Sequence, residues 1–276
     1  MKLLSKYSMA GLLAFLAVWS AVAAAQEPVN QNHPPQPGEA TGGPAPVHDL
    51  SGTWLGPGEP NLNNRVPAMT PEGQSKLKLN IPDPFSATSN DPWKTCDPFG
   101  MPRIVNNEIR EIGFATMPNR IVILENYAKV WREVWMDGRP VPTNIGHKGG
   151  PSTMYFGYSV GHWENNTLVV DTVGMDDKTW VDRRGYPHSI DAHVTERYAR
   201  TDHNHLTVTE TLEDPAYYTA PFVIAKADYR WIAGQDDAKV AIPFSNEYMC
   251  IPSEAIEYMK LVGAPADEDT ATGVKK

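Results

Sequence analysis

The sequence predicts an all-β protein: an antiparallel, lipocalin-like barrel of about nine strands with two short helices. Three observations lead there. Runs rich in β-branched and aromatic residues, each about 7–12 residues long, succeed one another through the middle of the chain with short polar links between them. Pro (25) and Gly (21) are frequent and charged residues make up 21% of the 276, which favours many turns over long solvated helices. Only two segments carry helix-start signals. Successive hairpins with few crossover helices close into a barrel or sandwich rather than an α/β sheet, and a barrel of about eight strands can hold one small ligand.

From the N-terminus, the chain opens on an export signal. Lys2 and Lys6 make a positive n-region, residues 9–22 are apolar apart from Ser20, and Ala23-Ala24-Ala25 offers small side chains for cleavage before Gln26. The apolar stretch falls short of the roughly 20 residues a spanning helix needs, and no later stretch reaches that length. No Cys follows the cleavage site to take a lipid. The expectation is a protein of the periplasm, or secreted, with no membrane span after cleavage near Ala25. Residues 1–25 are then the signal peptide and residues 26–47 a flexible Pro/Gly-rich tether. Residues 48–263 form a single barrel domain, and residues 264–276 a disordered tail.

Within that domain, Thr70-Pro71-Glu72 sets an N-cap before a Pro at the first helical position, predicting a helix that runs to Leu79. Strands are expected at 108–116, 119–127 and 129–136, after which Asp137-Gly138 marks a turn. Segments 155–164 and 167–173 flank the tight turn Asn165-Asn166, and 190–201 and 205–212 flank Asp202-His203-Asn204. Segments 221–231 and 240–248 complete the nine. Ser253 caps a second helix over 254–261, with Ile256, Met259 and Lys260 at helical spacing.

Charge and cysteine content bound the function. The formal net charge is −9, and losing Lys2 and Lys6 with the leader leaves 22 cations against 33 anions, or −11. Nucleic acid is therefore excluded as a partner, because no excess of cations exists to replace its counterions. Cys96 and Cys250 are the only two cysteines. In an oxidising compartment they are expected to pair, closing a loop worth very roughly 4–5 kcal/mol by chain entropy; two buried thiols are the alternative. No nucleophile elbow, P-loop, dinucleotide fingerprint or haem-attachment motif is present, which disfavours hydride transfer on a Rossmann fold, nucleotide-driven chemistry and α/β-hydrolase chemistry.

The polar residues that remain concentrate in one stretch. Six of the eight histidines fall between His147 and His205, and residues 181–198 hold His188, Asp191, His193 and Glu196 in the spacing H-x2-D-x-H-x2-E. Such a set supports acid/base catalysis, with His193 as general base oriented by Asp191 and His188 or Glu196 as the complementary acid. It also supports a divalent metal, although the spacing matches no zinc signature and HExxH is absent. A solvated strand face is the plainer reading. On an extended strand Asp191, His193, Thr195 and Arg197 share one face, while Glu196 falls among Ile190, Ala192, Val194 and Tyr198. Glu196 is thus the one carboxylate in an apolar set, and a buried carboxylate needs a partner or a raised pKa. Aromatic residues crowd the strand region and suit a pocket for an apolar ligand. Trp180 is expected to cover it, Tyr158 and His162 to line it, and Arg139 or Arg184 to hold an anionic group.

A resemblance adds context. The relevant segments are Asp49-Leu50-Ser51-Gly52-Thr53-Trp54, Cys96-Asp97-Pro98-Phe99-Gly100-Met101-Pro102-Arg103, Met136-Asp137-Gly138-Arg139-Pro140 and Trp163-Glu164 followed by Thr167-Leu168-Val169-Val170-Asp171-Thr172. With Gly185-Tyr186-Pro187-His188-Ser189 and His193-Val194-Thr195-Glu196-Arg197-Tyr198, they resemble a large family of uncharacterised secreted bacterial proteins. Asn165-Asn166 stands where that pattern has Gly-Asp, and Ile251-Pro252 follows Cys250 where it has acidic residues and Asn. The resemblance implies an exported domain and assigns no chemistry. The expected function is an exported enzyme acting on a small apolar or aromatic molecule by elimination, isomerisation or hydrolysis, with no nucleotide cofactor. A non-catalytic carrier of a hydrophobic molecule and a metal-dependent enzyme are the alternatives.

Overall fold

Alternation of apolar and polar side chains appears directly in burial. A computed structural model of the chain describes residues 42–56, 61–83, 86, 88–106, 111–126 and 129–232, all within one compact unit. Its strands are β1 (Gly52–Leu55), β2 (Asn61–Leu62), β3 (Glu111–Met117), β4 (Arg120–Glu125) and β5 (Val130–Trp135). They continue with β6 (Tyr158–Glu164), β7 (Thr167–Val173), β8 (His193–Arg200), β9 (His205–Glu213) and β10 (Phe222–Ile232). Along β8, Val194, Glu196, Tyr198 and Arg200 are buried, while His193, Thr195, Arg197 and Ala199 are not. β9 repeats this with Leu206, Val208, Glu210 and Leu212 inside.

Nine of the strands, β1 and β3 to β10, close a ring in which β10 returns to β1; β2 pairs with β10 at Ala225 and Lys226. Eight of the nine expected strands are β3 to β10. The ninth, 240–248, and the second helix, 254–261, lie outside the described residues. The ring is closed instead by β1, whose four residues are too few to show a period. It contributes the fully buried Trp54, whose indole Nε1–H donates to the Leu50 carbonyl at 2.9 Å.

The barrel is mixed rather than purely antiparallel, for a topological reason. Strand direction reverses at every antiparallel neighbour, so a closed ring with an odd number of strands must contain a parallel pair. That pair is β5–β6, joined by the long crossover 136–157 that parallel neighbours require. Its ladder holds only Val134↔Ser159 and Trp135↔Val160, whereas β6 and β7 are in register along seven residue pairs. The parallel seam is the weakest joint in the wall.

The core fills the interior, with Phe114, Ile123, Val134, Leu168, Val170, Val194, Leu206 and Tyr229 among its buried residues. Helix α1 (Pro71–Leu77) starts as expected, with Thr70 Oγ1 accepting from the Gly73 amide, and ends two residues before Leu79. A single turn, α2 (Arg103–Asn106), belongs to a cap of residues 91–106 and 174–192 at the end where β7 stops and β8 begins. The two parts of this cap are tied by Asn106 Nδ2 to the Val181 carbonyl (3.0 Å) and Thr179 Oγ1 to the Met101 carbonyl (3.2 Å). Within it, the Arg103 guanidinium makes a buried two-point contact with Asp91 (2.7 and 2.9 Å) and stacks over Phe99 and Trp180.

The last residues of the expected tether are docked. The Gly43 carbonyl accepts from the His203 amide, the Pro46 carbonyl accepts from Asn166, and His48 stacks on Trp163 at 4.8 Å. Cys96 follows a 3-10 turn at 92–95 and adopts φ 61°; its expected partner Cys250 lies outside the described residues. Among the described residues no helix is long and apolar enough to cross a membrane.

Candidate functional site

The four residues of the H-x2-D-x-H-x2-E stretch go to four different environments. His193 begins β8 on the outward face, where its Nε2 meets Asp171 Oδ1 at 2.8 Å, and Thr195 donates to the same oxygen. The hydrogen bond to Asp171 raises the His193 pKa against the effect of partial burial, and it lowers that of Asp171 in turn. Asp191 is exposed and pairs with His147 at 2.6 Å rather than with His193. His188 is buried in the cap, its Nε2 on Thr179 Oγ1 (2.7 Å) and its Nδ1 on the Ser189 carbonyl (3.1 Å); burial lowers its pKa. Glu196 points into the barrel, as the strand parity predicts, on the face opposite His193.

The remaining expected binding residues divide in the same way. Trp180 is buried in the cap, with the Arg103 guanidinium over its ring. Arg184 is held by Asp182 and by the Asn63 carbonyl, over the ring of Tyr186. His162 lies on the outer face beside Glu164 at 3.2 Å. Arg139 and Tyr158 alone of the five come together, on a groove beside the β5–β6 seam. Among the described residues, no three His, Cys, Asp or Glu side chains are grouped so as to hold a metal ion.

Glu196 leads to a charged network inside the barrel. From across the ring, Arg132 on β5 makes a two-point ion pair with it, Nη1 to Oε2 at 2.9 Å and Nη2 to Oε1 at 2.7 Å. The Tyr198 hydroxyl donates to Glu196 Oε1 at 2.5 Å and accepts from Arg132 at 3.2 Å. Two further carboxylates face the same guanidinium. Glu125, at the end of β4, has Oε1 3.9 Å from Arg132 Nη2. Glu210 on β9 stands directly opposite Glu196 in the β8–β9 register and accepts a hydrogen bond from Asn106 of α2 at 2.7 Å.

One buried cation cannot balance three carboxylates, so the charge is distributed unequally. Burial, reinforced by the Glu196 charge, pushes the Glu210 pKa well up against the opposing Asn106 bond. Burial also raises Glu125, the Arg132 guanidinium pulls it back, and Glu196 adds to the rise; it reaches about 7. The network therefore combines a carboxyl whose pKa burial raises, a second one raised to about 7 and an ion pair. Among the described residues, three of its atoms are buried without a hydrogen-bond partner: Glu210 Oε1, Asn106 Oδ1 and Arg132 Nε.

These residues were within reach of the sequence by one rule applied more widely. A charged residue in the apolar parity set of a strand marks Glu196, and the same test marks Glu125 after Ile121 and Ile123, Arg132 beside Val134, and Glu210 between Val208 and Leu212. Asn106 carries no such signal, because it comes from a single helical turn.

The groove lies where the wall lacks a ladder partner. β5 starts before β6, so among the described residues Val130 to Arg132 have no ladder partner on that side. Met154, Phe156 and Gly157 line the space there, and Gly157, at φ 62°, closes a turn onto the Met154 carbonyl just before β6. The resulting space is about 380 Å³, lined by outward residues such as Trp131, Trp135 and Tyr158 and by the inward Arg132 and Ser159. Trp135 carries the Arg139 guanidinium 3.7 Å from its ring centroid. Arg139 in turn is paired with Asp137 through Nε and Nη2.

Comparison of the chain with known protein families, curated proteins and solved structures returned no match.

Proposed function

We propose that the protein is an exported enzyme acting on a small apolar or aromatic organic molecule by acid/base chemistry, as elimination, isomerisation or hydrolysis, without a nucleotide cofactor. The observation that carries this reading is the opposed pair Glu196–Glu210: one carboxylate is locked by Arg132 and Tyr198, while burial raises the pKa of the other, whose Oε1 has no hydrogen-bond partner among the described residues. Buried carboxyls whose pKa values their surroundings raise are candidates for proton transfer near neutral pH. Glu210 serves as the proton donor and Glu125, near pKa 7, as the proton acceptor. His193 is not given that role, because its Nε2 is engaged by Asp171 on the outer wall.

Export with cleavage after Ala25, a Cys96–Cys250 bridge and membership of the secreted family it resembles belong to the same proposal. They agree with the leader and with the two-cysteine count.

The test is untargeted mass spectrometry of a bacterial culture extract incubated with the protein and with Glu210→Gln. Gln is neutral and can keep accepting from Asn106, but it has no carboxyl proton. New product masses that appear with the wild type and vanish with E210Q are expected. Equal product formation by both removes Glu210 from the chemistry, and an extract left unchanged by the wild type removes the enzyme reading.

A second reading is favoured by the open aromatic groove at the seam: a carrier that retains a hydrophobic molecule unaltered. Extract compounds that co-purify with the protein without conversion support it.

A further inference from the structure

Two of the unpartnered atoms in the interior network belong to side chains that already touch. Asn106 Nδ2 donates to Glu210 Oε2 at 2.7 Å, to the Val181 carbonyl at 3.0 Å and to the Pro102 carbonyl at 3.3 Å. These three acceptors fix which way the amide points, because turning it over would set Oδ1 against three oxygens. The remaining oxygens of the two groups, Asn106 Oδ1 and Glu210 Oε1, are both acceptors, and among the described residues neither meets a donor.

A buried acceptor without a donor costs stability, so a donor has to be accounted for. Water does not supply it, since both atoms are sealed from any space of water size. The neighbours do not supply it either. Arg132 from β5 and the Tyr198 hydroxyl from β8 are turned to Glu196. Tyr229 of β10 faces the same carboxyls but bonds to neither oxygen. Glu125 of β4 and Glu196, directly opposite in the β8–β9 register, add only negative charge. The donor that needs no further group is the carboxyl's own proton. Placed on Oε1, it turns one unmatched acceptor into a donor for the other, and it removes a negative charge set against Glu196. Acid and amide then close a ring of two hydrogen bonds, N–H to Oε2 and O–H to Oδ1.

We propose that Glu210 carries its proton on Oε1 and donates it to Asn106 Oδ1, which makes Asn106 the positioning residue of the interior acid. The assignment rests on the acid/base reading above for its use in catalysis, and it names what holds that reading's proton donor. Because the same amide ties α2 to Val181, the acid is anchored to the cap as well as to β9.

Infrared difference spectroscopy of the wild type against E210Q at pH 8, with no substrate present, tests it. Glu125, with a pKa of about 7, is present in both proteins and mostly ionised there. The carbonyl stretch of a protonated carboxyl is expected in the wild type and absent in E210Q. In Asn106→Leu the band should persist, because the bond from Asn106 lowers the Glu210 pKa, and it should move to higher wavenumber as both hydrogen bonds are lost. No carboxyl band in the wild type overturns the protonated pair, and a band unmoved in N106L overturns the role of Asn106. Proton NMR of the wild type gives the same answer if N106L does not fold. A slowly exchanging carboxyl proton, lost in E210Q, should show a nuclear Overhauser contact to the Asn106 Nδ2 protons, and a carboxyl proton without that contact overturns the pairing. The enzyme reading fails separately, by an extract left unchanged while the band is present.

Discussion

Replacing Glu125 by Gln removes a buried carboxyl whose protonation is linked to folding, and the effect has a defined sign and pH window. The folded protein raises this pKa from 4.5 to about 7, chiefly by burial. At about 1.4 kcal/mol per pKa unit, that rise is worth about 3 kcal/mol. The folded state binds the proton more tightly than the unfolded chain. The stabilisation is therefore fully present below pH 4.5 and is lost as pH rises through 7. Gln has no proton to lose. The stability of E125Q relative to the wild type should rise by about 3 kcal/mol between pH 4 and pH 8, whatever constant cost comes from losing the 3.9 Å contact with Arg132. For a domain of this size the melting-temperature difference should move by about 6–12 °C across that range. Urea denaturation at four or five pH values measures it directly. A difference that stays flat, or that falls with rising pH, refutes the reasoning, because it means Arg132 keeps Glu125 ionised in the fold.

Other perturbations separate the remaining parts of the structure. Arg132→Met leaves Glu196 as an unpaired buried carboxylate and should cost about 3–5 kcal/mol in urea denaturation, most of it recovered in the double variant R132M/E196L. A single variant no less stable than the double would show that the ion pair is not what holds Glu196. His193 should titrate above its ordinary 6.5 in an NMR experiment and fall back in Asp171→Asn; an unmoved midpoint in that variant removes Asp171 as the cause. Denatured without reductant, the purified protein should show no thiol reactive to alkylation, and two alkylated cysteines would exclude the Cys96–Cys250 bridge.

How far the site was legible varies from residue to residue. Strand parity alone sends Glu196 inward and His193 outward, and it does the same for Glu125, Arg132 and Glu210, because alternation is a property of each strand by itself. The α1 start was equally local, a Thr cap followed by Pro. The pairing of Asp191 with His147, and of His193 with Asp171, was not legible. Each joins segments whose proximity depends on the 136–157 crossover or on the β7–β8 register.

By itself, then, the sequence determined the all-β class, the positions of eight strands and the faces of side chains along the regularly alternating β5 and β8, whereas the β10 bulge between Val223 and Ala225 breaks that alternation. Tertiary structure alone decided which buried charges meet: Arg132 and Glu196 are partners because the ring closes through a four-residue strand that carries no periodic signal. It also decided where the wall opens. A ring of nine must have one parallel seam, and only the order of strands around the closed barrel puts that seam at β5–β6, where the groove lies. Facing is set by neighbours along the chain. Meeting is set by closure, which no local stretch of sequence contains.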